Sequence, residues 1–146
     1  MSPLRSRLKG KVFEREVADL YRQRWPAATV RRGQQGDGAH EPDVVIEGDA
    51  PLFAQRMWTE CQDAIDPTPR EKLAQAERDI LALPSEFSCY VPIVVWHKLR
   101  ARTIQVTTPL WVLARCGLFH LVDNFDHPGE LLPVTLDFHA FLAALP

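Results

Sequence analysis

Between residues 11 and 24, Phe13, Val17, Leu20 and Tyr21 recur at helical spacing. A stripe of that period predicts an amphipathic helix, and Pro26 stops it. A loose basic arm, residues 1 to 10, precedes it and ends in Gly10. Ala27 to Arg31 is a short β-leaning run, and Arg32 to His40 reads as a polar, glycine-rich loop. Glu41 to Gln62 predicts a β-hairpin, with strands Glu41–Ile46 and Met57–Gln62 around a turn at Gly48-Asp49-Ala50-Pro51. Asp63 to Pro69 reads as a further loop. Thr68-Pro69-Arg70-Glu71 then announces a helix, with Thr at the N-cap, Pro in the first position and Glu three residues after the cap. It runs to about Leu83, burying Leu73, Ala76, Ile80 and Leu83.

Tyr90–His97 and Thr103–Thr107 are rich in β-branched and aromatic residues and predict two more strands, joined by the basic turn Lys98–Arg102. Pro109–Ala114 reads as a short helix. Asp137–Leu145 predicts a closing helix with Phe138, Phe141, Leu142 and Leu145 on one face. The order is a helix, three or four strands interrupted by a helix, then helices. It predicts one α/β domain over residues 1–146, a central mixed β-sheet flanked by helices, with 108–146 as a C-terminal helical extension.

Composition narrows this picture. At 146 residues, 46% hydrophobic and 25% charged, the chain fits a single globular domain with a proper core. No apolar run reaches the roughly 18 to 20 residues of a membrane span. Met1 to Arg7 is basic but leads into no apolar signal region. Cys61, Cys89 and Cys116 are isolated, forming neither a disulfide framework nor a CxxC site, so a reducing cytoplasm is expected. Residues 1–32 hold nine basic and three acidic side chains, net +6, and the remainder eight and sixteen, net −8. A basic segment on an otherwise acidic chain is a footprint for a polyanion, and a solvated, charge-laced helix accounts for it equally well.

The hairpin holds the candidate chemistry. Alternate side chains of a strand share a face, so Glu60 and Gln62 point one way and Thr59 and Cys61 the other. Asp43 opens the partner strand. Carboxylates converging at a hairpin suit a hard cation such as Mg²⁺. Metal-dependent phosphodiester cleavage needs carboxylates for the ion, a group to orient water, and positive charge for the backbone. Asp43, Glu60 and either Glu14 or Glu16 could supply the first. Those two glutamates flank the helix stripe on opposite sides, so spacing alone does not choose between them. Lys9, Lys11, Arg15, Arg31, Arg32, Arg70 and Lys72 are candidates for the phosphate grip. No GK[ST] or GxGxxG pattern marks a nucleotide cofactor. His40 could contact a ligand. His97, His120, His127 and His139 lack paired metal spacing. Cys61, Trp58, Trp96 and Trp111 read as packing residues.

In its motif order the chain resembles the PD-(D/E)xK nuclease superfamily, most closely the archaeal-type and phage Holliday junction resolvases. Lys9-Gly10 before Phe13-Glu14-Arg15-Glu16, Ala28-Thr29-Val30-Arg31, Pro42-Asp43-Val44-Val45 and Thr59-Glu60-Cys61-Gln62 carry the resemblance, over roughly residues 9 to 107. It implies a restriction-endonuclease-like core and an endonuclease on branched or junction DNA. Its metal ligands would be Glu14, Asp43 and Glu60 around Mg²⁺, with Mn²⁺ as substitute. Arg31 would contact phosphate. It also implies a C₂ homodimer, for which Leu110–Phe119 and Phe138–Leu145 are candidate interfaces and core packing the alternative. The setting would be bacterial, or phage-encoded in a bacterial host, with no membrane and no nucleotide cofactor. The family lysine is Gln62 here. Gln62 is the catalytic candidate at that place: it can position a water by hydrogen bonds but brings no charge, and some restriction endonucleases of the superfamily carry glutamine there and still cut. A cation could come from Lys72 or Arg70 on the following helix. The alternatives are an inactive DNA-binding or assembly module, or a nuclease of the same fold acting on other DNA.

Overall fold

The computed structural model describes residues 3–34, 41–85, 89–118 and 132–146. His40 with most of its loop, Phe119, His120 and His127 lie outside the described residues. Helix α1 (Pro3–Arg24) begins eight residues ahead of the expected start at residue 11, so the expected basic arm is helical for most of its length. Leu, Arg and Lys favour helix without needing burial, and Pro suits a first turn. Leu8 and Val12 stay exposed. That stretch has helix propensity without an apolar period, which is why a stripe criterion passed over it.

Six strands follow: β1 (Ala28–Arg32), β2 (Val44–Gly48), β3 (Met57–Ala64), β4 (Val91–Lys98), β5 (Ile104–Pro109) and β6 (Pro133–Asp137). They form one mixed sheet in chain order. All neighbours are antiparallel except β3 and β4, which run parallel from Met57↔Val91 to Ala64↔Lys98. A parallel pair needs a crossover, and α3 (Pro69–Ala82) supplies it. The chain is thus α/β, a six-stranded mixed sheet flanked by helices.

Three local expectations are corrected. The β2–β3 turn contains a one-turn helix, α2 (Leu52–Gln55), and the two strands pair at Val44↔Thr59. β3 runs through Asp63 and Ala64, which the sequence assigned to a loop. The helical extension contributes β6 to the sheet. Pro133 opens that edge strand, a position where a missing N–H is tolerated.

The larger core lies between the sheet and α1, α4 (Leu110–Arg115) and α5 (Phe138–Ala144). Tyr21, Ile93, Leu113, Phe138 and Phe141 are fully buried in it. The apolar segments weighed as a dimer face are therefore part of the chain's own core, with Leu110, Val112, Leu113, Leu118, Leu142 and Leu145 buried as well. Gly117, at φ 70°, closes α4 with Leu118 N–H on Leu113 O (2.8 Å) and Gly117 N–H on Ala114 O (3.1 Å). Arg24 ties α1 to the chain's end through the carbonyls of Leu142 and Leu145. On the other face, α3 covers a smaller cluster: Trp58, Ala76 and Ile80, flanked by Leu83 and Tyr90.

Candidate active site

Strand alternation sends Met57, Thr59 and Cys61 toward the α1 side, where Tyr21 Oη meets Thr59 Oγ1 at 3.0 Å. Trp58, Glu60 and Gln62 face α3. Asp43 enters beside them from the start of β2. Its backbone is pinned by Gly33, whose N–H donates to Asp43 O at 2.9 Å. A Cβ on Gly33 would lie 1.9 Å from Pro42 O, so only glycine fits there. The Asp43 carboxylate, 7% exposed, accepts from Cys61 N–H through Oδ2 at 2.8 Å. Carried one residue beyond Val44↔Thr59, the strand register sets Asp43 alongside Glu60.

Glu60 is equally buried and held at both oxygens. Trp58 Nε1–H donates to Oε1 at 3.0 Å, and Lys72 Nζ lies 2.9 Å from Oε2. Burial foremost, and then the Asp43 charge, push the Glu60 carboxyl above its usual range, against the opposing pull of Lys72 and Trp58. Burial pulls the Lys72 ammonium down. The bond to Glu60 and the fields of Glu60 and Asp43 outweigh it, so its pKa is raised and it stays charged at neutral pH.

Lys72 reaches this position because α3 starts where it does. Gln62 accepts from Thr68 N–H through Oε1 (3.0 Å) and donates from Nε2 to Thr68 Oγ1 (3.3 Å). Thr68 occupies the N-cap position, but its hydroxyl makes no capping bond to the helix. The capping expected from the sequence is replaced by a strap from β3. Gln62 thus shares Glu60's strand face while its amide anchors the helix that delivers Lys72.

Other expected site residues are distributed differently. Glu14 is half-buried and Glu16 exposed, which resolves the alternatives left by helical spacing. Glu14, however, faces Arg32, whose Nη2 lies 2.6 Å and Nε 2.7 Å from Oε2. Among the described residues no three His, Cys, Asp or Glu side chains gather into a metal-holding group. Asp43 and Glu60 act directly on one another, while Glu14, whose charge reaches Cys61 along with theirs, is engaged by Arg32.

Arg31 forms a two-pronged pair with Glu41 (2.8 and 3.0 Å) and reaches Glu47 (3.3 and 3.4 Å). These contacts hold its charge within the β1–β2 ladder. Lys9, Lys11, Arg15 and Arg70 are exposed. The half-buried Cys61 thiol is pushed well up by burial, and further by Asp43, Glu14 and Glu60, so it is a poor nucleophile.

No protein-family model matches this chain, and no curated protein does. Its chemistry rests on the residues themselves. Sequence reading singled out Asp43 and Glu60, and named Lys72 beside Arg70 as a source of charge. It missed Trp58 as a partner of Glu60. The signal was there: Trp58 lies two residues before Glu60, hence on the same strand face. It also missed Thr68 as the partner of Gln62, which no local pattern encodes.

Two buried oxygen-donor carboxylates fit the way Mg²⁺ is commonly held, through one or two carboxylates with water completing the shell. Among the described residues no helix is long and apolar enough to cross a membrane.

Proposed function

We propose that the chain is a Mg²⁺-dependent endonuclease of the PD-(D/E)xK kind with a restriction-endonuclease-like core, acting on branched DNA. The observation that carries this reading is the Asp43–Glu60–Lys72 group, two buried carboxylates with an ammonium 2.9 Å from one of them. It provides the acidic pair and the cation such chemistry needs, with Lys72 arriving from α3 in place of the lysine that Gln62 displaces.

In the reaction a water oxygen bonds to phosphorus, the P–O3′ bond breaks, and the 3′-oxygen takes a proton, leaving a 5′-phosphate. Asp43 and Glu60 would hold Mg²⁺, which when bound polarises the phosphate and lowers the pKa of water. Lys72 places a point charge where negative charge develops. Trp58 and the Cys61 N–H fix the two carboxylates so that they need not reorganise. Exposed Lys9, Lys11 and Arg15 on α1, with Arg70 on α3, offer a salt-sensitive grip on the backbone.

A second reading keeps the fold and loses the reaction: a DNA-binding or assembly module. It draws on Glu14, which is engaged by Arg32, and on Gln62, which is engaged by Thr68.

The test uses a labelled four-way junction, linear duplex and single-stranded DNA with Mg²⁺ or Mn²⁺. Cleavage by wild type that is lost in Asp43→Asn and Glu60→Gln supports the nuclease reading. Salt-sensitive binding without cleavage, and cleavage gained in Gln62→Lys, supports the module. Symmetric cutting of both junction strands, with a dimer in solution, would identify a resolvase.

A further inference from the structure

A cavity of about 390 Å³ adjoins the carboxylate pair. Pro42, next to Asp43, and Trp58, which holds Glu60, form its near side, with Tyr90 edge-to-face against Trp58 (centroids 5.7 Å apart, 89°). At its other side stands the Glu41–Arg31–Glu47 cluster, two carboxylates on one guanidinium. Flat apolar walls with a few polar groups at one side are the usual make-up of a small-ligand pocket, and this volume sits near the small end of that range. Two carboxylates against one guanidinium leave the polar side net negative. It disfavours phosphate and favours a ligand that donates hydrogen bonds.

We propose that this cavity takes a single unstacked nucleobase bearing an exocyclic amino group, from the DNA strand that runs past Asp43 and Glu60. An amino group donates to a carboxylate, as cytosine N4 does to Glu, and the half-exposed Glu47 carboxylate at the cavity's side is the acceptor, while Arg31 stays engaged with Glu41 and Glu47. Thymine has no amino group to offer. The apolar and aromatic side receives the ring's face. The proposal deepens the nuclease reading and rests on it for the strand's position. A base can enter only where the duplex is open, and unpairing costs least where DNA is already single-stranded or branched. The cavity thereby gives a physical reason for preferring forks and junctions over continuous duplex.

The experiment measures binding without metal, so that it does not depend on cleavage. Wild type is titrated with labelled oligo(dT) and with the same strand carrying cytosines, and with cytidine as free competitor. Cytosine-bearing strands should bind about tenfold more tightly than oligo(dT). Glu47→Ala, which removes the acceptor at a half-exposed position and leaves the Arg31–Glu41 pair intact, should abolish that ratio while oligo(dT) affinity stays. Equal affinity for the two strands, or an unchanged ratio in Glu47→Ala, overturns the proposal. So does cytidine binding more tightly than the strand, which would make the cavity a free-nucleoside site. Cleavage without base preference removes the pocket and leaves the nuclease reading standing. Base preference without cleavage does the reverse.

Discussion

The two faces of β3 divide the labour of the molecule. Toward α1 the strand presents Met57, Thr59 and Cys61 to a large core, with Tyr21 Oη on Thr59 Oγ1 as a polar link within it and Asp63 pairing His97 at the strand's end. Toward α3 it presents Trp58, Glu60 and Gln62 to a core of three buried side chains, and every one of those strand residues is polar or carries a polar handle. Burial of apolar area scales with stabilisation, so the α1 face determines whether the chain folds. The α3 face is too small for that and instead fixes directions. Trp58 aims Glu60, Gln62 aims α3, and α3 aims Lys72. Alternation along one strand thus sets the main packing face apart from the face that carries the proposed chemistry.

Substitutions can break this division, beginning with the most damaging. Phe138→Ala, in the fully buried α1-side core, should lower unfolding free energy by about 3–5 kcal/mol in denaturant titration. Asp43→Asn keeps an acceptor for Cys61 N–H and should leave stability near wild type while reducing cleavage by at least about a hundredfold. An equal loss of stability would show that the faces are not separable. Gly33→Ala should cost about 1–3 kcal/mol because its Cβ collides with Pro42 O, and should weaken Mg²⁺ binding by moving Asp43.

Lys72→Met should slow single-turnover cleavage by about ten- to a hundredfold, with Lys72→Arg recovering part of it. Unchanged rates would remove Lys72 from the proposed chemistry. The smallest effect concerns the β1–β2 ladder. The Arg31 guanidinium foremost, with Gln34 N–H, holds the Glu41 carboxyl at about 2, below its ordinary 4.5. That contribution is full above pH 4.5 and is lost as pH falls through 2. Arg31→Ala should therefore lower stability by about 1 kcal/mol at pH 7, and the difference from wild type should close between pH 4.5 and 2 in thermal melts.

What the sequence disclosed follows the same division. Periodicity located α3, β4, β5 and α5 within a residue or two, because each has a face that must be buried. It passed over the start of α1, where Leu8 and Val12 face solvent, and β6, where proline masks an edge strand. Asp43 and Glu60 were legible from their positions on a hairpin. The partners of Arg31, Arg32, Gln62 and Lys72 were not, since each is chosen by an ion pair or amide contact across the fold. Glu14 was chosen by resemblance over Glu16. The structure favours its burial but pairs it with Arg32.

The parallel pairing of β3 with β4 carries a consequence for how the site comes into being. An antiparallel ladder such as β4–β5 can zip outward from its nearest rung, His97↔Ile104. In the parallel ladder each rung joins residues separated by the same stretch of chain, as from Met57↔Val91 to Ala64↔Lys98. No rung is cheap enough in loop entropy to go first. The crossover therefore closes as a unit, and amide exchange along β3 and β4 should show one shared opening rather than graded fraying. Because Glu60 is itself a rung of that ladder, opposite Val94, its strand is fixed only when the crossover closes, and the carboxylate takes its final place in that one cooperative step.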